Sequence, residues 1–169
     1  EEELSSEIDK LKAAADAAME KITAIGTVSL DSKTAIEEAR AAYNALTVTQ
    51  RSLVTNYETL TAAEDSLKVL QDAADKAAAD KAAADAVTEK IAAIGTVTKD
   101  SKTAIESARA AYDALTAEQK VLVANYEILT AAEASLKALQ DAADKATADK
   151  AAADPVIEQI NAIGTVTLD

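Results

Sequence analysis

The chain has 169 residues, a net charge of -13 and a pI near 4.4, with no cysteine, no histidine and four tyrosines as its only aromatic residues. That composition excludes disulfide staples, thiol nucleophiles, Cys/His zinc sites and the commonest general base. So acidic a surface repels phosphate backbones and anionic lipid, which argues against nucleic-acid binding, and no apolar run approaches the ~20 residues that span a bilayer.

Nearly half the residues are hydrophobic by type, much of that alanine, and only three glycines and one proline interrupt the chain. The expectation is an all-α protein with few turns. The first ten residues, EEELSSEIDK, lack the basic start and apolar core of a signal peptide, so the sequence reads as a piece of something longer.

Self-comparison organises the rest. EKITAIGTV from Glu20 to Val28 returns as EKIAAIGTV from Glu89 to Val97 and as EQINAIGTV from Glu158 to Val166, which places Gly26, Gly95 and Gly164 at a constant spacing of 69. About four-fifths of the residues match between the first two copies, without insertions. The period exceeds those of the common helical repeats and suits a small three-helix bundle. We therefore expect one repeat over 1–77, a second over 78–146, and the start of a third, cut short, over 147–169.

In chain order, a first helix is expected from about Ser6 to Ile25. Leu11, Ala15, Ala18, Ile22 and Ile25 recur at steps of three and four, forming one apolar stripe. Gly26 follows as a left-handed C-terminal cap, and Asp31 or Ser32 is placed to start the next helix, with Asp100 matching Asp31. That second helix, KTAIEEARAAYNAL, turns Ile36, Ala39, Tyr43 and Leu46 inward and Glu37, Glu38, Arg40 and Asn44 outward. Thr47 to Gln50 has the form of a capping box and opens a short helix carrying Leu53, Val54 and Tyr57 inward. A further capping box, TAAE at Thr61 to Glu64, repeats at Thr130 to Glu133, and its stripe continues through Ala63, Leu67, Leu70 and Ala74.

No glycine or proline then follows until Gly95. The last helix of one repeat should thus run unbroken into the first helix of the next, over about 33 residues or ~50 Å. Its middle is the alanine-rich run DAADKAAADKAAAD, Asp72 to Asp85, which returns from Asp141 to Asp154. This resembles the semi-rigid helical EAAAK spacer. A five-residue beat rotates by ~140° per step, so Asp75, Asp80 and Asp85 drift around the helix instead of holding one seam. Pairs four apart (Asp72 with Lys76, Lys76 with Asp80, Lys81 with Asp85) support an exposed connector. One position departs from the pattern: Pro155 stands where the earlier copies have Ala17 and Ala86. With Asp154 as N-cap it suits a fresh helix start, or else a kink, and we expect a break or bend at Asp154.

Residues for chemistry are scarce. The carboxylates fall at exposed or capping positions, no calcium-binding loop pattern occurs, and the glycines are too isolated to cradle phosphate. The loop oxygens of GTVSLDS and GTVTKDS read as caps. Tyr43, Tyr57, Tyr112 and Tyr126 lie on the inner stripes, ring inward and hydroxyl at the rim. No catalytic, metal-ligating or cofactor-binding residue is assigned, no cofactor is expected, and the chain is not expected to be an enzyme.

The segment KTAIESARAAYDALTAEQKVLVANYEILTAAEASL, Lys102 to Leu136, with AIGTVT, AAYDALTAEQK and NYEILTAAE its most telling strings, resembles tandem helical repeats in surface and large secreted proteins of Gram-positive bacteria. The resemblance covers essentially the whole chain, and the sharing of helices between repeats looks like spectrin architecture. It implies an extracellular, wall-attached spacer or stalk in which small three-helix bundles are joined by long helices into a rod. Its partners would be the adjacent repeats of the same chain, and it would be a monomer without membrane insertion of its own. The alternative is a helical binding module, an adhesin-type bundle whose face recognises a host or matrix protein.

Overall fold

A computed structural model describes residues 2–164. It is all-α: among the described residues it holds seven α-helices and no strand, namely α1 (Glu2–Ala24), α2 (Lys33–Ala45), α3 (Val48–Arg51), α4 (Tyr57–Ala92), α5 (Lys102–Asp113), α6 (Ala117–Val121) and α7 (Tyr126–Ile163). The chain divides into two compact units, 1–78 and 79–169.

In the first unit, Ala15, Ala18, Ile22 and Ile25 of α1 are buried along the expected stripe, with Leu11 half-buried. They meet Ile36 and Ala39 of α2 and Leu60, Ala63 and Leu67 of α4 in one core. Ile22 and Leu60 are fully enclosed, each contributing roughly 1.5–3 kcal/mol by burial. The alanines around them let the helix backbones approach closely. The second unit repeats this core with Ala84, Val87, Ile91 and Ile94 of α4, Ile105 and Ala108 of α5, and Leu129, Ala132 and Leu136 of α7.

The turns follow from single residues. Gly26 and Gly95 adopt φ of 61° and 58°, the left-handed conformation that ends the helix before each. After them the chain makes one 3₁₀ turn, Leu30–Ser32 or Lys99–Ser101, before α2 or α5. The cap here is not Asp31 or Asp100, which sit inside those turns. Hydroxyls take the role: Ser29 N–H donates to Ser32 Oγ (3.0 Å) and Thr98 N–H to Ser101 Oγ (2.9 Å). A serine three residues on reaches the open amide without bringing a charge. The Thr47 box forms as expected, with Thr47 N–H to Gln50 Oε1 at 2.9 Å and Gln50 N–H to Thr47 Oγ1 at 3.3 Å, and Thr116 with Gln119 repeats it.

The box at Thr61 does not cap anything. Helix α4 begins four residues earlier, at Tyr57, and Thr61 Oγ1 donates back to the Glu58 carbonyl at 2.9 Å. Thr130 does the same to Glu127, also at 2.9 Å. The stripe Leu60, Ala63, Leu67 needs helix already at Leu60, and this packing demand overrides the local motif. Leu53 is likewise not inward: it is 42% exposed, while its neighbour Val54 takes the core position. Leu70, also expected on the stripe, is 37% exposed and outside the core.

Helix α4 runs for 36 residues, ~54 Å at the helical rise. One end supplies Leu60 to the first core and the other supplies Ile91 to the second. Between them Asp75 to Ala79 is exposed, and burial resumes fully at Ala84. Lys81 pairs with Asp85 at 2.6 Å as anticipated, and Lys68 reaches Asp72 at 2.9 Å.

No helix starts at Asp154. Helix α7 continues through Pro155 to Ile163, and Asp154 accepts from Lys150 Nζ at 2.6 Å. The proline leaves the Ala151 carbonyl without its helical donor. The alanine-rich turns before it favour helix by their own propensity.

A methyl group built on Gly26 or Gly95 meets nothing within 4 Å, so the cost of Gly26→Ala or Gly95→Ala is conformational alone. Each substitution should lower the stability of its unit by ~1–2 kcal/mol in urea denaturation. A loss beyond ~3 kcal/mol would mean that packing, not backbone conformation, selects glycine there.

Candidate functional site

The most organised polar constellation occurs twice, where the second helix of each unit faces the last. In the first unit Arg40 of α2 binds both carboxylate oxygens of Glu64 on α4, its Nε donating to Oε1 at 2.5 Å and its Nη2 to Oε2. Its Nη1 donates to the Tyr57 hydroxyl at 3.3 Å. The guanidinium lies 5.3 Å from the Tyr57 ring centre, and that ring stacks on Tyr43 at 4.4 Å. In the second unit Arg109 bonds Glu133 through two contacts of 2.6 Å and Tyr126 at 3.3 Å, and Tyr112 and Tyr126 stack at 4.2 Å.

A second cation closes the other side of the tyrosine pair. Arg51 lies 5.4 Å from the Tyr43 ring and donates to the Asn44 carbonyl at 2.6 Å. Lys120 takes the equivalent place, 5.5 Å from the Tyr112 ring and bonded to the Asp113 carbonyl at 3.1 Å. Stacked rings between two cations join hydrophobic cover to cation–π attraction.

The electrostatics of this cluster are those of a latch. Hydrogen bonding to Arg109 holds the Glu133 carboxyl below its ordinary range, against the opposing effect of partial burial. Glu133 and then Tyr126 raise Arg109 further above the usual arginine range, against its own partial burial. A guanidinium that cannot release its proton, facing a carboxylate held ionised, offers neither a general acid nor a general base.

A third tie reaches the first helix of each unit. Asn56 Nδ2 donates to the Met19 carbonyl at 3.0 Å and to Thr23 Oγ1 at 3.2 Å, and Asn125 Nδ2 donates to the Thr88 carbonyl at 2.9 Å. Asn125 precedes α7 without capping it: its Nδ2 bonds α4, and its buried Oδ1 accepts from neither helix. Gln119 Nε2 adds a bond from α6 to Asp80 at 2.9 Å.

Comparison with known protein families, with curated proteins and with solved structures finds no match to this chain. The site therefore stands on its own geometry. That geometry brings together all four tyrosines, two by two, with hydroxyls of Tyr57 and Tyr126 bonded by arginine. The loop acids Asp31 and Asp100 remain exposed in their turns. Among the described residues no three acidic side chains converge as a metal site would require, and no helix is long and apolar enough to cross a membrane. A shallow groove in the second unit, lined by Ile105, Arg109, Glu133, Leu136 and Lys137, runs beside the latch.

Sequence reasoning turned Arg40 to water and missed its pairing with Glu64. A signal was available: only three of the basic residues are arginine, and two of them, Arg40 and Arg109, fall at equivalent positions facing an equivalent Glu64 and Glu133.

Because the Glu133 carboxyl is held below its unfolded range near 4.5, its pairing contributes stability that is complete above about pH 5 and lost as pH falls through the folded value. Glu133→Gln should cost roughly 0.5–1 kcal/mol at pH 7, and the gap to the parent chain should narrow progressively as pH falls below the ordinary carboxylate range. Urea denaturation over a series of acid pH values checks this, and a gap that never narrows while the parent chain stays folded would mean the carboxylate charge is not what Arg109 recognises.

Proposed function

We propose that this chain is a structural spacer: tandem three-helix bundles joined end to end through shared helices into a semi-rigid rod, without catalytic activity of its own. The observation that carries the reading is α4, a single 36-residue helix with the stripe of one core at its start and of the next core at its end. An alanine-rich helix is stiff over this length, and i,i+4 ion pairs such as Lys68–Asp72 and Lys81–Asp85 add a few tenths of a kcal/mol each. The strongly ordered polar groups of each unit are spent on joining its own helices, as a load-transmitting element requires. Net charge of -13 favours solubility and mutual repulsion along an extended chain. Its resemblance to Gram-positive surface repeats gives this spacer a place, projecting other domains from a bacterial cell wall as a monomer.

Polypeptides of two, four and six units should grow in maximum dimension by ~30 Å per unit in small-angle scattering, because each unit adds about half of a shared helix in height. A dimension that saturates with unit number overturns the rod.

The stiffness can be tested without disturbing either core, since Ala78 is exposed and belongs to neither. With no native cysteine to remove, spin labels at Asp31→Cys and Asp100→Cys report the distance between units. The parent should give a narrow distribution and Ala78→Pro a broad one. Equal breadth in both would leave α4 without a mechanical role.

A further inference from the structure

The two units match at about four-fifths of their positions, yet three of their differences fall at one contact. Met19, Thr23 and Thr55 of the first unit stand where the second has Thr88, Ala92 and Ala124. The Met19 thioether accepts from both the backbone N–H and the hydroxyl of Thr55, each at 3.4 Å. Thr23 Oγ1 donates to the Met19 carbonyl at 2.9 Å, and Asn56 Nδ2 reaches that carbonyl and the Thr23 oxygen together. The sulfur therefore sits where α1 is tied to the residues that lead into α4. Met19 is half-buried, packed against the first core on one side. On the other it lines two surface hollows, one with Ile8, Leu11 and Leu53 and one with Asp16, Glu20 and Thr23. It is the only methionine in a chain without cysteine, so all the sulfur of the protein is at this one place.

We propose that Met19 is an oxidation site through which hydrogen peroxide loosens the first unit and leaves the second intact. The sulfur lone pair attacks one peroxide oxygen and forms an S–O bond as the O–O bond breaks. The second oxygen takes the proton of the first and leaves as water, so thioether becomes sulfoxide while peroxide is reduced. The product does not fit the present contact. A thioether is a weak acceptor, whereas a sulfoxide oxygen placed between the sulfur and Thr55 needs ~2.9 Å of its own to the amide nitrogen. The sulfur itself is only 3.4 Å from that nitrogen. Either Thr55 retreats, taking the neighbouring Asn56 with it, or the polar S–O group turns toward the core. Both movements pull on the bond from Asn56 to the Met19 carbonyl that ties α1 to the start of α4. In the second unit Asn125 bonds the Thr88 carbonyl, and peroxide finds no sulfur there. Neither the contact nor its chemistry depends on the spacer role.

The test treats the full chain with hydrogen peroxide and follows intact mass and backbone hydrogen exchange by mass spectrometry. One added oxygen is expected, on Met19, in the folded chain without denaturant. Exchange over 55–62 should then quicken at least ~tenfold, while the equivalent segment 124–131 stays as it was. Met19→Leu keeps the volume and cannot form a sulfoxide, so under the same peroxide both of its segments should stay unchanged. Oxidation that occurs only in denaturant would overturn the proposal, because the sulfur would then be closed to the hollows. So would a sulfoxide chain whose 55–62 exchange matches the parent, an equal loss of protection in both units, or a quickening that persists in Met19→Leu.

Discussion

Everything in each unit depends on enclosing one isoleucine and one leucine, Ile22 with Leu60 and Ile91 with Leu129, all at 0% exposure. With few large side chains the helices of one unit bury little surface, and cores of this size are close to the lower limit for independent stability. Alanine resolves the geometry. Ala15, Ala18, Ala39 and Ala63 surround the pair, so the helices come near enough for two branched side chains to fill the space between them. The same small side chains contribute little burial themselves, which makes the unit dependent on its few large ones. The glycine at φ near 60° and the hydroxyl-capped 3₁₀ turn set the chain's return onto that pair with little excess loop.

The core supplies burial without direction, and the polar ties add contacts of defined distance and direction. Arg40 with Glu64 and Tyr57 sets α2 against α4, while Asn56 sets the start of α4 against α1. Each needs a particular distance and direction, unlike the apolar contacts beneath. The two arginine latches are half-exposed, so solvent screening keeps their energetic contribution modest.

Periodicity made the helices legible, together with the stripe of α1, the left-handed glycines and the continuity of α4, because each is written in a few neighbouring residues. What was misread were the features that depend on residues distant in sequence. Thr61 to Glu64 satisfies a capping pattern, yet Glu64 faces Arg40 across the bundle and the helix has already begun for the sake of Leu60. Asp31 looks like a cap only until Ser29 and Ser32 are seen to bond each other. Leu53 and Val54 are equally apolar in the sequence, and only the assembled core, which takes in Val54 and leaves Leu53 outside, tells them apart. The latch was hidden for the same reason: an arginine on a helix is polar from either side, and its partner lies 24 residues away.

Proline 155 draws these strands together. Read alone, Asp-Pro in an alanine-rich run is a helix start, and the expected break at Asp154 followed from that. The continuous helix means that local propensity on both sides outweighs one missing backbone donor, with no tertiary contact required on the far side, where residues 155–163 are exposed. The position also matters. A proline at the stripe would deform the surface that Val156, Ile160 and Ile163 present, but residue 155 shares its face with Ala17 and Ala86, which look away from their cores. The proline therefore falls where it can weaken the helix backbone without altering the apolar stripe. Continuity of the α7 backbone and identity of its apolar face are separable properties, carried by different sides of the same turns.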